Sequence, residues 1–188
     1  MNIATIIGAR PQFIKAAMLS KKIKKDNFFS EIIIHTGQHF DHNMSEIFFE
    51  EMGIPIPNYN LEINKMSYGM MIDKMINKIE PVLKSEKING MIVYGDTNST
   101  LAGSLTASRL KLPIFHVEAG MRSYNRSMLE ETNRIITDHL SALLFCSSKI
   151  AVNNLQKEGI AGGIVLSGDI MYDAYIKFSS RAKKDIFK

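Results

Sequence analysis

Met91-Ile92-Val93-Tyr94-Gly95-Asp96-Thr97-Asn98-Ser99-Thr100 is the stretch that decides how this chain folds. Four apolar residues in a row read as a strand, which ends in a glycine followed by a carboxylate. Asn98 to Leu110, rich in Ala, Ser and Leu, continues as a helix. The same sentence is written upstream at Ile3-Ala4-Thr5-Ile6-Ile7-Gly8, a short run that reads as a buried strand. It feeds an amphipathic segment, Pro11 to Lys25, with Phe13, Ala16, Ala17 and Leu19 on one side, lysines on the other and proline in the first turn.

Working outward, Ile32-Ile33-Ile34, Pro113 to Val117, Leu143 to Cys146 and Ile164-Val165-Leu166 are further strands. Between them lie expected helices: Asn43 to Gly53, Ser67 to Lys87, Leu129 to His139, Ser147 to Glu158 and Asp169 to Ala182. Met70, Met71, Met75 and Ile79 form the apolar face expected of the second of these, and Pro81 is placed to kink it. Residues 54–67 read as an irregular connection. Strand–helix alternation throughout predicts an α/β fold, a Rossmann-like parallel sheet with helices on both faces. Ligands of such sheets bind beyond the carboxyl ends of the strands. The polar clusters stand there: Arg10 after the first strand, Thr36-Gly37-Gln38-His39 after the second, Gly95-Asp96-Thr97-Asn98 and Glu118-Ala119-Gly120 after later ones.

Composition bounds the function. At 188 residues, 45% hydrophobic and 22% charged, the chain is of ordinary globular type, which excludes a disordered or collagen-like polymer. The single cysteine, Cys146, excludes an intrachain disulfide and a multi-cysteine zinc site. No apolar run approaches the ~20 residues of a membrane span, and residues 1–8 show no signal-peptide pattern, so the expected compartment is cytoplasmic. The net charge of +4 is uneven: +5 in residues 1–30 and +4 in 177–188, against −5 between them. That suits an anionic small molecule as well as plain solvated helix faces; no basic-aromatic stripe points to nucleic acid.

The clusters carry chemistry of different weights. Gly8-Ala9-Arg10-Pro11 turns strand into helix, where free amides and the Arg10 fork could hold an anion. It is neither a Gly-x-Gly-x-x-Gly fingerprint nor a Walker motif, which argues against nicotinamide, flavin and P-loop chemistry. His35, His39 and His42 with Asp41 could ligate a metal, but Gly37 argues for a loop, and histidines hydrogen-bonding a sugar or the backbone are the better reading. Asp96 and Glu118 each follow an apolar strand, where partial desolvation makes a carboxylate a usable acid or base. Glu130-Glu131 opens a helix, where acidic residues also serve the dipole. Converging carboxylates suit proton removal and return at a carbon, or C–O cleavage.

These clusters, in this order, resemble the UDP-N-acetylglucosamine 2-epimerase family. The resemblance rests on Gly8 to Lys15, Thr36 to Asp41, Val93 to Thr100, His116 to Ser123, Glu130 to Arg134 with Asp138-His139, and Gly168-Asp169. Asn125-Arg126 before the glutamate pair resembles the non-hydrolysing bacterial and archaeal branch. The resemblance implies two Rossmann-like domains of GT-B type with the active site in the cleft between them. It implies C2 inversion of UDP-GlcNAc to UDP-ManNAc: UDP leaves with loss of the C2 proton, and the resulting 2-acetamidoglucal is reprotonated on the other face as UDP re-adds. No metal or nicotinamide cofactor is implied. On matching positions Asp96, Glu118 and Glu130 take acid–base roles, and Arg10, Lys15 and Lys25 contact substrate or phosphate. Gln38 and His39 match positions that in some members contact a second, regulatory UDP-GlcNAc.

Two departures matter. Leu129 stands where the family has proline, so the approach to Glu130 differs. Family members are about twice as long, in keeping with two ordinary domains. The reading is therefore a Rossmann-like domain over residues 1–168, and a linking helix over 169–188 toward a second domain or a homo-oligomeric partner that would complete the cleft. The alternatives are a non-catalytic sugar-nucleotide-binding or pairing module, a hydrolysing epimerase that shares the carboxylates, and a glycosyltransferase of similar architecture.

Overall fold

A computed structural model describes residues 1–38 and 56–185, with side chains through 179. The strands are β1 (Asn2–Ile7), β2 (Ser30–His35), β3 (Tyr59–Asn60), β4 (Gly90–Tyr94), β5 (Ile114–Ala119), β6 (Leu143–Cys146) and β7 (Ile164–Leu166). The helices are α1 (Arg10–Ile23), α2 (Tyr68–Ser85), α3 (Asn98–Arg109), α4 (Leu129–Leu140), α5 (Lys149–Lys157) and α6 (Ile170–Asp185). The strands form one parallel sheet in the order β3-β2-β1-β4-β5-β6-β7. The strand order reverses between β1 and β4, and a crevice opens beside such a reversal at the carboxyl edge.

Alternation along β1 explains the layers. Ile3 and Ile7 face α1 in a cluster with Phe13, Ala16, Ala17 and Tyr94. Ala4 and Ile6 face the other way, into a cluster with Met75, Ile79, Met91 and Ala102 under α2 and α3. Both sheet faces are covered, so the strands are mostly apolar. A smaller cluster, Leu144, Cys146, Ala151 and Leu155, closes the sheet under α5. Helix α6 lies along α1; Ala174 is buried and Ile170 packs on the α1 cluster.

The expected elements are present with three adjustments. The connection after residue 56 contains β3, a short edge strand paired to β2, where no regular structure was expected. Met70 is 64% exposed, so the buried face of α2 is Met75, Ile79, Val82 and Leu83. Met71, beside Met70, is partly buried against the same cluster, as expected. Pro81 is held within α2, which continues to Ser85. The helix expected over residues 43–53 lies outside the described residues.

Candidate active site

Helix α3 begins where β4 ends, and Thr97 makes the joint. Its side chain caps α3 by accepting the Thr100 amide at 3.2 Å. Gly95, at φ +60°, turns the chain in a conformation costly to most other residues, and so presents Asp96 at the carboxyl edge. Glu118 reaches the same place by a different device. It sits at φ +71° where the β5–β6 register slips between Val117 and Ala119. A bulge there re-aims the side chain. A non-glycine residue held at positive φ costs about 1–3 kcal/mol, which the surrounding sheet has to offset.

Each carboxylate meets a cation from a distant element. Lys15 points inward from α1, its side chain only 7% exposed, and its ammonium donates to Glu118. Arg134, on α4, donates to Asp96 and lies 3.1 Å from Glu131. Asn133 donates to the Asp96 carbonyl at 2.9 Å and in turn accepts the Tyr68 hydroxyl at 2.9 Å. Lys15, Gly95, Asp96, Glu118, Met121 and Arg134 line one cavity of about 310 Å³. A second hollow of about 200 Å³, toward β6 and α6, shares Glu118 as a wall. Each carboxylate is about a third exposed, partly desolvated as expected just past an apolar strand, and each faces a cation.

The turn at Gly8 differs from expectation. Gln12 is buried, and its carbonyl oxygen accepts the amides of Gly8 and Ala9 at 2.8 and 3.0 Å. Those amides are engaged inside the protein and do not await an anion. The Gln12 amide group donates across to the Tyr94 carbonyl and to the Thr97 and Thr100 hydroxyls at 2.8–3.0 Å. One side chain thus ties the β1 turn to the β4 turn. Gly8 is required by close approach: a Cβ there would fall on the hydroxyls of Ser99 and Thr36.

The other residues expected at the site separate. Arg10 stands exposed at the same edge, as the first residue of α1. Gln38 is at this edge too, but its carbonyl accepts the Ser99 amide and hydroxyl at 3.1 and 2.8 Å, an internal tie. Lys25 is not brought to the site: it lies beyond the end of α1, which has carried the chain back to the amino edge of the sheet. His39, with Asp41 and His42, lies outside the described residues, while His35 is buried and bonded to Asn60 at 3.2 Å.

Glu130 is exposed in the first turn of α4 and does not line the cavity; its charge, second to burial, raises the Tyr68 phenol. Glu131, to which no site role was assigned, is the anchored one of the pair. It accepts the Ser123 amide and hydroxyl at 3.0 and 2.8 Å and the Tyr124 amide at 2.8 Å. Burial pushes its carboxyl up, but those donors and Arg134 pull it further down, below the usual value. Arg134 and Met121 were given no role by the sequence reading. Arg134 stands three residues after Glu131, a spacing that puts both on one helix face and could have flagged it.

A sequence profile of the UDP-N-acetylglucosamine 2-epimerase family matches residues 21–188. The UDP-2,3-diacetamido-2,3-dideoxy-D-glucuronate 2-epimerase of Pseudomonas aeruginosa is 54% identical over 99% of this chain and 53% of its own length. The Methanocaldococcus jannaschii UDP-GlcNAc 2-epimerase, crystallised with UDP-GlcNAc and UDP, superimposes with a TM-score of 0.95 at 45% identity, covering 98% of this chain and 51% of that one. The Neisseria meningitidis UDP-GlcNAc 2-epimerase bound to UDP-GlcNAc gives 0.90 at 31% identity, over 99% and 52%. The chain thus spans about half the length of the relatives it matches. With the family profile matching residues 21–188 and fold and sequence in agreement over nearly its whole extent, this chain belongs to the UDP-N-acetylglucosamine 2-epimerase family.

Proposed function

We propose that the chain supplies the acid–base wall of an enzyme inverting C2 of a UDP-linked 2-acetamido sugar, UDP-GlcNAc to UDP-ManNAc. The observation that carries this is one cavity holding Asp96 and Glu118, each beside a cation that can also meet a diphosphate. Removing the C2 proton leaves its electron pair to form the C1–C2 double bond as the C1–O bond to UDP breaks. Returning a proton to the opposite face of C2 while UDP re-adds at C1 gives the epimer. Two carboxylates suit the two proton transfers, and Lys15 and Arg134 suit the negative charge on departing UDP. Glu130 remains proposed as a third acid–base group and Arg10, Lys15, Gln38 and His39 as substrate or effector contacts. With Asp96 and Glu118 a third exposed, a second protein wall is needed to exclude water, from another domain or a partner copy. A cytoplasmic location and the making of cell-surface polysaccharide precursors go with this reading.

The 54% identity to the Pseudomonas aeruginosa relative favours a second reading of the sugar alone, a diacetamido uronate undergoing the same inversion. The test joins this chain to the half of the Methanocaldococcus jannaschii relative that it does not match, and offers both UDP-sugars in D2O. Epimerisation with deuterium entering C2 is expected, and Asp96→Asn or Glu118→Gln should cut kcat by ~10²–10⁴. Turnover without C2 exchange, or full activity in both variants, would sink the proposal. The 188-residue chain alone should turn over little.

A further inference from the structure

Behind the cavity lies a charged network that the chemistry above does not use. His116, on β5, is fully buried. Its Nδ1 is 2.7 Å from Asp138 Oδ1 on α4, and its Nε2 is 2.7 Å from the carbonyl oxygen of Gly95. The other oxygen of Asp138 accepts from Arg122 at 2.7 Å and from the Gly120 amide at 3.1 Å. Arg122 also forks onto Glu158, at the end of α5, at 2.7 and 2.6 Å. His139 Nε2 is 3.4 Å from the same Glu158 carboxylate, and Cys146, on β6, feels the charges of Asp138 and Arg122.

We infer that His116 is a buried imidazolium whose second proton holds the Gly95 carbonyl, making it a positioning residue for Asp96. Both ring nitrogens face oxygen acceptors, and a neutral imidazole has only one N–H to give. With the proton on Nδ1 alone, a bare Nε2 would confront the Gly95 oxygen at 2.7 Å. With it on Nε2 alone, a bare Nδ1 would confront the Asp138 carboxylate oxygen Oδ1 at 2.7 Å. Asp138 is fully buried, and a cation on the His116 side of it adds to the Arg122 charge on the other. Burial pushes the Asp138 carboxyl up, but His116 and Arg122 outweigh it and hold it below the usual range. The Cys146 thiol, pushed to about 11 chiefly by burial, stays a neutral neighbour.

The consequence reaches the cavity through one peptide. The Gly95 amide donates to the Val117 carbonyl at 3.0 Å and its carbonyl accepts from His116, so the residue at φ +60° is clamped on both sides. Asp96 follows directly. Fixing that turn fixes where the Asp96 carboxylate meets Arg134.

That Asp96 is worth positioning rests on the epimerase reading; the two ring protons do not. The experiment records ¹⁵N and ¹H spectra of the 188-residue chain without any sugar nucleotide, so a failed epimerase assay and a neutral His116 are separate results. Both His116 nitrogens should carry directly bonded protons in the folded chain. A ring with one bare nitrogen overturns the inference. In His116→Gln the ¹³C signals of the Gly95 carbonyl and the Asp96 carboxylate should move while that of Glu31, at the opposite edge, stays; unmoved Gly95 and Asp96 signals overturn the positioning role. Should that variant not fold, scalar coupling from His116 Nε2 to the Gly95 carbonyl carbon in the unaltered chain reads the same bond, and its absence refutes it.

Discussion

Replacing Gln12 by leucine breaks five hydrogen-bond contacts, three of them sharing the two protons of one amide group, while keeping nearly the same volume. Not all five losses are equal. The Tyr94 carbonyl keeps the Thr100 hydroxyl at 2.6 Å, and Thr97 and Thr100 can bond each other at 3.2 Å. The amides of Gly8 and Ala9 have no such second partner and are left buried. An unsatisfied buried donor costs about 1–3 kcal/mol, so two cost about 2–6 kcal/mol. Leucine recovers roughly 1–2 kcal/mol of apolar burial. At the middle of both ranges the net loss expected is about 2.5 kcal/mol, a large share of the ~5–15 kcal/mol that holds a domain together. In urea unfolding of the 188-residue chain the midpoint should fall with little change in slope, and Tm should drop by roughly 5–15 °C. Gln12→Glu separates the two ends of the side chain. It keeps the acceptor for both amides but turns an oxygen toward the Tyr94 carbonyl, so it should be destabilising at neutral pH and regain stability toward acid, where a proton restores the donor. A loss below about 1 kcal/mol in Gln12→Leu would refute the reasoning, because it would mean that water or a small shift satisfies both amides.

The glutamate pair should divide by role: Glu131→Gln costs about 1–3 kcal/mol by weakening three buried bonds, whereas Glu130→Gln stays within about 0.5 kcal/mol, both read by urea unfolding. Equal losses would show that the Ser123–Tyr124 loop does not depend on Glu131. Glu118→Gln leaves the Lys15 ammonium buried without its counter-charge, whereas Lys15→Met leaves a carboxylate that water can reach, so the first should destabilise more in the same assay. Stability should fall as pH drops below about 4, because Asp138, Glu131 and Glu158 are held below their usual 3.8 and 4.5, so their contribution, complete above those values, is lost as each protonates in the folded protein. Glu31, raised chiefly by burial, has the opposite sign, favouring the fold below 4.5 and losing that contribution as pH rises; Glu31→Gln should therefore flatten the stability profile above pH 4.5, as followed by urea midpoints.

Much of this was legible from the sequence. Strands β1 and β4 announce themselves because residues buried on both faces must all be apolar, and Gly8 and Gly95 mark where they end. Once the strands are parallel, residues just past their ends share one edge, so Asp96 and Glu118 come together without any contact being known. What no periodicity encodes is the partner of each side chain. Lys15 reads as one more lysine on a polar helix face until the sheet brings Glu118, 103 residues away, within reach of it. Arg134 meets Asp96 across 38 residues, and His116 meets Asp138 across 22. Lys25 looked equivalent to Lys15 by charge, but α1 rises about 1.5 Å per residue and ends at Ile23, so the two stand at opposite edges of the sheet. The bulge at Glu118 and the anchoring of Glu131 by Ser123 and Tyr124 likewise came from the tertiary structure. Local pattern specifies which face of an element is buried; only packing in three dimensions decides what that face meets.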